Sequence, residues 1–513
     1  MDINNINYLT FEGGGGKGTI YLGAVQGLEE VFKPILMREA LKFEEESPTN
    51  PTPPNSVNLN EFKIEDATPL INLTIPPQSR QLKGISGASA GAITAYMLAM
   101  GMNSIDIENE TKKSTPFQFN TIGKHPITSF ENFFDNPSDT HKEIIDNSRS
   151  FEYRNISKLL IGSIKSIYNN SALEKLFTAY KLYKKTKKSF TKNRIEGMLK
   201  TQTLDDGLEK TRQYAYNLLF TRGLFTGESV RDYIEKLMQV HLLNKIDEIN
   251  NNSNFNLKKI EKEPKDITFK DFYYMTGVDL IFTGINISRH RPMYFSVHHT
   301  PDFPVTEAVG ISMNIPIIFK PIWINYDVRE GDKQQKIKYQ GLWGDGGLLN
   351  NFPIHAFDNI VNQEINYQNV ISAQPIASEV MEERKFCDCV LGLRLTDIQE
   401  RENLEKPLKK ENVFPENSSF IIGDYLNNLY ETIMYPAENG QIRSTVEELS
   451  TININIRDTS KEIRKYYEEG LTVEMTDFST PSMDRERGNN IIADSKERLI
   501  KEAREKVIEK FSN

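Results

Sequence analysis

The chain has few of the residues that usually announce a cofactor or a covalent framework. Two of its 513 residues are cysteine, Cys387 and Cys389, and seven are histidine. Two cysteines two apart share one face of a strand, give no disulfide framework and are too few for a zinc site, so they read as reduced core thiols. No EF-hand loop is present, and neither a metal nor another cofactor is expected. Basic charge is not in excess: the formal net charge is −9, which excludes a general nucleic-acid binder. No apolar run reaches bilayer-spanning length, and Met1 to Asn7 lack the basic start and apolar middle of a signal peptide. The expected setting is cytoplasmic with peripheral membrane contact, export through a specialised machine being the alternative.

A hydrophobic content of 38% over this length builds a substantial core, and the length admits two or three domains. Tyr8 to Phe11 reads as a short strand, followed by glycines and by a helix with Ile20, Leu22, Ala24, Val25, Leu28 and Phe32 at helical spacing. Residues 47–77 are rich in Pro, Asn and Thr, without periodicity, and read as a surface excursion. Residues 105–264 are polar with helical stretches. One, at 156–183, carries an apolar stripe and ends in a lysine-rich tract, read either as a solvated face or as an interfacial helix with a basic rim. Another helix opens at Glu228. Strand-like runs return at 279–285, 293–297, before Gly344, and at 389–395, and a charged amphipathic helix closes the chain from Ser495. Strands alternating with helices predict an α/β fold with a sheet covered on both faces.

Three motifs carry chemistry. Gly87-Ala88-Ser89-Ala90-Gly91 satisfies G-x-S-x-G, a sharp strand-to-helix turn that lifts a serine hydroxyl out of the backbone. Gly13, Gly15 and Gly18 match the dinucleotide fingerprint, but the expected second strand ending in an acidic residue is missing. A phosphate-binding loop fails too, because Lys17 precedes Gly18 rather than Ser or Thr. Consecutive glycines between an apolar strand and an apolar helix can instead turn successive N–H groups toward one point, as an oxyanion hole requires. The third motif is Asp345-Gly346-Gly347, which is either an ordinary turn or a carboxylate placed to take the Ser89 proton. A triad borrowing His355, in the order Ser…Asp…His, is the alternative base.

In order along the chain, these motifs resemble the signature of patatin-like phospholipases. Supporting similarities are Gly223-Leu224-Phe225-Thr226-Gly227, the segment from Pro304 through Ser312 to Pro316, and Leu348-Leu349-Asn350-Asn351-Phe352-Pro353. Thr476-Asp477-Phe478 and Glu497-Arg498-Leu499-Ile500 resemble the family's closing loop and helix. The resemblance implies a three-layer α/β/α sandwich around a mainly parallel sheet, with long, mostly helical insertions. A single catalytic domain would then occupy residues 5–510, with insertions at 34–80 and 105–222 and a variable helical segment at 396–450. The insertion at 105–222 is read as a lid or a docking element.

The resemblance further implies that Ser89 is the nucleophile and Asp345 the base of a histidine-free dyad. Gly14, Gly15 and Gly16 would supply oxyanion N–H groups with Lys17 close by, and Gly13, Gly18, Gly87, Gly91, Gly346 and Gly347 would support the turns. Glu12 stands where the family usually has aspartate, and the first loop has a fourth glycine. The expected function is a phospholipase A-type serine acyl hydrolase acting on a phospholipid membrane surface. A toxin or anti-phage effector role, with activation by a protein or a small-molecule signal, is part of that expectation. The alternatives are a neutral-lipid or general carboxylester hydrolase, or a non-catalytic lipid- or nucleotide-binding module.

Overall fold

Strand β1 (Tyr8–Phe11) leads through a 3₁₀ turn (Gly15–Ile20) into helix α1 (Tyr21–Glu46). The computed structural model describes residues 1–46, 68–112, 223–252, 256–324, 339–358, 386–396, 445–456 and 485–512. After α1 come β2 (Gly84–Gly87), α2 (Ala90–Ala99), α3 (Ser104–Lys112), β3 (Gly223–Phe225), α4 (Glu228–Met238) and α5 (Asn244–Asn252). Next are α6 (Phe269–Thr276), β4 (Asp279–Asn286), β5 (Arg291–Phe295), α7 (Val305–Ser312), β6 (Ile317–Phe319) and β7 (Ile322–Ile324). The series closes with β8 (Gly341–Asp345), β9 (Val390–Thr396), α8 (Thr445–Leu449), β10 (Thr451–Asn455) and α9 (Arg485–Ser512). The predicted helix at 156–183, with its lysine tract, lies outside the described residues, as do most of 105–222 and of 396–450.

The sheet runs β10-β9-β1-β2-β4 with every neighbour parallel, so the strand ends after β1, β2 and β4 open on one side. Two faces emerge from the alternation of side chains along each strand. Leu9, Phe11, Ile85, Leu280, Phe282, Leu391 and Leu393 enter a large core shared with α1, α2, α6, α7 and α9. Tyr8, Ile281 and Val390 point the other way, into a smaller cluster built by Phe352, Ile354, Phe357 and Cys387. All eight residues of β4 are buried, as a strand covered on both faces requires. The sheet is thus that of an α/β fold.

The pairing of β4 positions everything that follows. Phe282 pairs with Gly87 on one edge and with Phe295 of β5 on the other. Gly284, Ile285 and Asn286 pair with β5 and, on the remaining edge, with β8 running antiparallel. Strands β2 and β8 therefore share one edge of β4 and meet there end to end, β2 arriving at Gly87 and β8 at Asp345.

Two expectations change. The stretch read as a surface excursion returns to the core before residue 77: Leu70, Ile71, Leu73 and Ile75 are buried, and Arg80 beside them donates to the carbonyls of Ile75 (2.7 Å) and Thr276 (2.8 Å). Its apolar residues are too few to show a period, so composition masked their burial. Cys387 and Cys389 are not reduced thiols but are joined by a disulfide, with S–S 2.03 Å. They lie in the turn ahead of β9, where Val390 N–H closes on the Cys387 carbonyl, rather than on the strand itself.

Helix α1 packs along α9 through Gly23 and Gly27, one turn apart. A Cβ at Gly23 would overlap the Ile500 carbonyl, and one at Gly27 would come within 2.8 Å of the Arg504 carbonyl and Val507 Cβ. Backbone meets backbone here, so no side chain can rotate away. Gly23→Ala is expected to destabilise the fold by about 1–3 kcal/mol or more, the cost of overpacking a filled interior. Denaturant unfolding would measure this, and an unchanged midpoint would show that α9 can shift without cost.

Candidate active site

Strand β2 stops at Gly87, and α2 starts three residues later. The connection is made by Ser89, held at φ 48° and ψ −122°. Among the described residues only His290 is another non-glycine with positive φ. A residue with a side chain accepts this conformation at a cost of roughly 1–3 kcal/mol and only where its surroundings fix it. Tight packing does so here: a Cβ at Gly87 would overlap the Gly91 carbonyl, and one at Gly91 would overlap the Phe11 carbonyl. Gly18 backs onto Ala90 in the same way. The Ser89 N–H donates to Ser312 Oγ at 3.1 Å, and the residue is 7% exposed.

Asp345 ends β8 on the same edge of β4. Its carboxylate caps the 3₁₀ turn Gly346–Leu348, accepting from the Gly347 N–H at 2.7 Å. The Ser89 side chain stands near enough to favour the ionised form of this carboxyl. The Asp345 N–H donates to the Asn314 carbonyl at 2.8 Å, and the residue is 1% exposed. Burial raises the carboxyl pKa from 3.8 to about 7, against the lowering by the bond from Gly347 and by the nearby Ser89 side chain. Gly346 is pressed onto Thr283 of β4, where no side chain fits.

The glycine loop completes the group. The Gly13 N–H is already engaged with the Asn351 carbonyl (2.9 Å), and Asn351 Nδ2 donates back to the Gly13 carbonyl (3.0 Å). A Cβ at Gly13 would overlap Asn351 Oδ1 and reach within 2.9 Å of Ser89 Cβ, so the loop lies directly against the Ser89 turn. After Gly13 the loop continues through Gly14, which is buried at φ −159° and ψ 12°, Gly15 at φ +53°, and Gly16 in the 3₁₀ turn. Lys17 belongs to the same turn, its side chain lying outside the described residues. Glu12 ties this loop to the sheet: its carboxylate accepts from the Leu395 N–H (2.7 Å) and from Asn351 Nδ2 (3.3 Å).

His355 is placed elsewhere. Its Nδ1 is 2.8 Å from Asp358 Oδ2, its Nε2 lies 3.6 Å from Glu447 Oε2, and its ring meets Phe386 edge-on. Its neighbours Ile354 and Ala356 pack with Tyr8 and Val390, which open β1 and β9. Ser89 follows the closing end of β2, so the histidine sits at the opposite end of the strands. The triad alternative finds no support in this placement. His298, bonded to Asp279 at 2.5 Å, also belongs to a strand beginning, that of β4. Among the described residues no group of three or more His, Cys, Asp or Glu is placed to hold a metal ion.

Three residues at the site escaped the reading of the chain as functional: Ser312, Asn314 and Asn351. Their signal was faint. Each lies in a segment whose resemblance was noted, but a buried serine or asparagine has no spacing that announces its partner.

Comparison with known proteins adds the following. A family model described as Patatin-like phospholipase matches residues 77–358, more than half of the chain. "Probable lipid hydrolase 463L" of Invertebrate iridescent virus 6 is 30% identical over 132 residues, 26% of this chain and 34% of that protein. "Uncharacterized protein R571" of Acanthamoeba polyphaga mimivirus is 25% identical over 163 residues, 31% of this chain and 41% of that protein. The chain thus spans less than half the length of either curated relative. Among solved structures, VipD from Legionella pneumophila aligns with a TM-score of 0.32 at 15% identity, over 99% of this chain and 67% of that one. Full-length ExoU in complex with SpcU, from the type III secretion system of Pseudomonas aeruginosa, gives 0.27 at 14% identity, over 99% and 53%. Similarity at that level carries no weight on function.

The buried carboxyl of Asp345 has a consequence for stability. Between pH 3.8 and about 7 the unfolded chain ionises this group while the fold keeps it protonated. The folded state then binds more protons, so its stability declines as pH rises through that window. Asp345→Asn removes the decline while keeping an acceptor for Gly347. The variant is expected to melt above the parent protein at pH 8 and close to it at pH 4. A lower melting temperature at pH 8 would contradict this account.

Proposed function

Because this chain belongs to the patatin-like phospholipase family, we propose that it is a serine acyl hydrolase that releases fatty acids from glycerophospholipids through a Ser89–Asp345 dyad. The observation that carries the proposal is the meeting, on one edge of β4, of the strained Ser89 turn after β2 with the buried Asp345 carboxyl that ends β8, raised by burial to about 7. A general base is most effective with a pKa near the working pH. An ordinary aspartate is too weak a base for this task, and burial raises Asp345 toward it.

The steps follow from the placement of the groups. Asp345 takes the proton from Ser89 Oγ as that oxygen attacks the ester carbonyl. Negative charge develops on the carbonyl oxygen, and the N–H groups of Gly14, Gly15 and Gly16 are the donors proposed to receive it. Each such donor typically contributes roughly 3–4 kcal/mol to lowering the barrier. As the tetrahedral intermediate collapses, the proton on Asp345 passes to the departing lysolipid oxygen and an acyl-Ser89 ester remains. Water then enters, Asp345 removes its proton as the hydroxide attacks the acyl carbonyl, and that proton returns to Ser89 Oγ as the fatty acid leaves, restoring both groups. The left-handed turn at Ser89 holds the hydroxyl near the carboxylate before substrate arrives, so little reorganisation is left to the reaction itself.

Ser89→Ala and Asp345→Asn are each expected to abolish fatty-acid release from phosphatidylcholine and phosphatidylglycerol vesicles, and Ser89→Ala also to abolish labelling by a fluorophosphonate. Retained release in either variant would overturn the dyad. Equal or faster turnover of triacylglycerol emulsions would move the substrate to neutral lipids. The sign of the pH effect is fixed by the base: kcat/KM should rise with pH through about 7, as Asp345 loses its proton, and then level off. An acid limb near pH 4 would show that the catalytic base is an unperturbed carboxylate.

A further inference from the structure

The nucleophile and the carboxylate come from different strands, yet their backbones are held by one tripeptide. Helix α7 ends at Ser312, whose Oγ accepts the Ser89 N–H at 3.1 Å. Two residues on, the Asn314 carbonyl accepts the Asp345 N–H at 2.8 Å. Both residues are buried, Ser312 completely. The Asn314 side chain is itself anchored, its Nδ2 donating to the Lys320 carbonyl at 2.8 Å, which fixes the direction of its own backbone. Gly344, beside Asp345, brings β8 so close that an added Cβ would lie 3.3 Å from the Asn314 carbonyl.

We propose that Ser312 and Asn314 are positioning residues that set the separation of Ser89 Oγ and the Asp345 carboxylate. This inference rests on the Ser–Asp reading and goes beyond it. The physical argument starts at the strained turn. At positive φ, the Ser89 N–H is bonded to a side-chain hydroxyl on another element, Ser312 Oγ of α7. A buried N–H left without an acceptor is costly, on the scale of the strain of the turn itself. Removing the Ser312 hydroxyl therefore allows the turn to relax, and relaxation moves Ser89 Oγ. The base is fixed through the same tripeptide, so an error at one end is not matched at the other. A displacement on the order of 1 Å between reacting groups lowers a rate about 100-fold.

The test compares Ser312→Thr with Ser312→Val. The two side chains share shape and volume, and only threonine keeps an oxygen, so any cost of the added methyl is common to both. With a soluble short-chain ester, the valine variant is expected to show kcat about 10- to 100-fold below the threonine variant, with KM within about twofold. A second readout separates positioning from general damage. The nearby Ser89 side chain lowers the Asp345 pKa, so its displacement should shift the acid limb of kcat/KM to higher pH in the valine variant. Equal kcat and coincident pH limbs in the two variants would overturn the proposal. A Ser89→Ala control run alongside tells the two failures apart: full hydrolysis there defeats the dyad, whereas an inactive control with matched Thr and Val variants defeats only the positioning role.

Discussion

The arrangement depends on one edge of β4 being shared by two strands that approach from opposite directions. A parallel neighbour, β2, occupies the lower half, and an antiparallel one, β8, the upper half. Where they meet, the hydrogen-bonding edge is interrupted, and both chains must turn away within a few residues. The Ser89 turn and the Gly346–Leu348 turn are those exits. A hydroxyl and a carboxylate that lie 256 positions apart in the sequence are brought together because sheet register, which is cooperative and stiff, sets the gap. A loop-built site would have to fix the same distance against far more conformational freedom.

The motifs themselves were legible in the chain because each is a local steric solution. Gly87 and Gly91 report a turn in which carbonyls sit where side chains would be, and the run 13–16 reports a backbone folded against that turn. The strand-like runs at 279–285 and 389–395 were legible for a similar reason, since buried strands are continuous in apolar residues. What the chain concealed was register and partnership. Nothing in Ser312, Asn314 or Asn351 distinguishes them from solvent-facing residues until the fold supplies the N–H or carbonyl that each one meets. Residues 68–77 were misread because a few buried apolar side chains followed a long Pro- and Asn-rich stretch. The two cysteines were misread because their turn was taken for strand.

Asp345 is not the only carboxyl raised by burial. Glu29 is lifted to about 7 as well, with Ser104 donating to it from both its backbone N–H and its hydroxyl. The difference lies in what each faces. Ser104 opens α3 and is itself buried, so Glu29 anchors a helix start. Asp345 faces Ser89, which is held in a strained turn with the glycine loop packed against it at Gly13. Perturbed titration becomes chemistry only where geometry supplies a reacting partner.

The contact of α1 with α9 through Gly23 and Gly27 has a temporal side. Helix α9 also packs on the 3₁₀ turn that carries Gly15 and Gly16, so the proposed anion-binding loop is braced by the last described helix of the chain. During synthesis that brace leaves the ribosome after every other described element. The nascent chain therefore contains Ser89 and Asp345 before the glycine loop has its support. A partly made chain that lacks α9 therefore lacks the braced loop, even though Ser89 and Asp345 are already present.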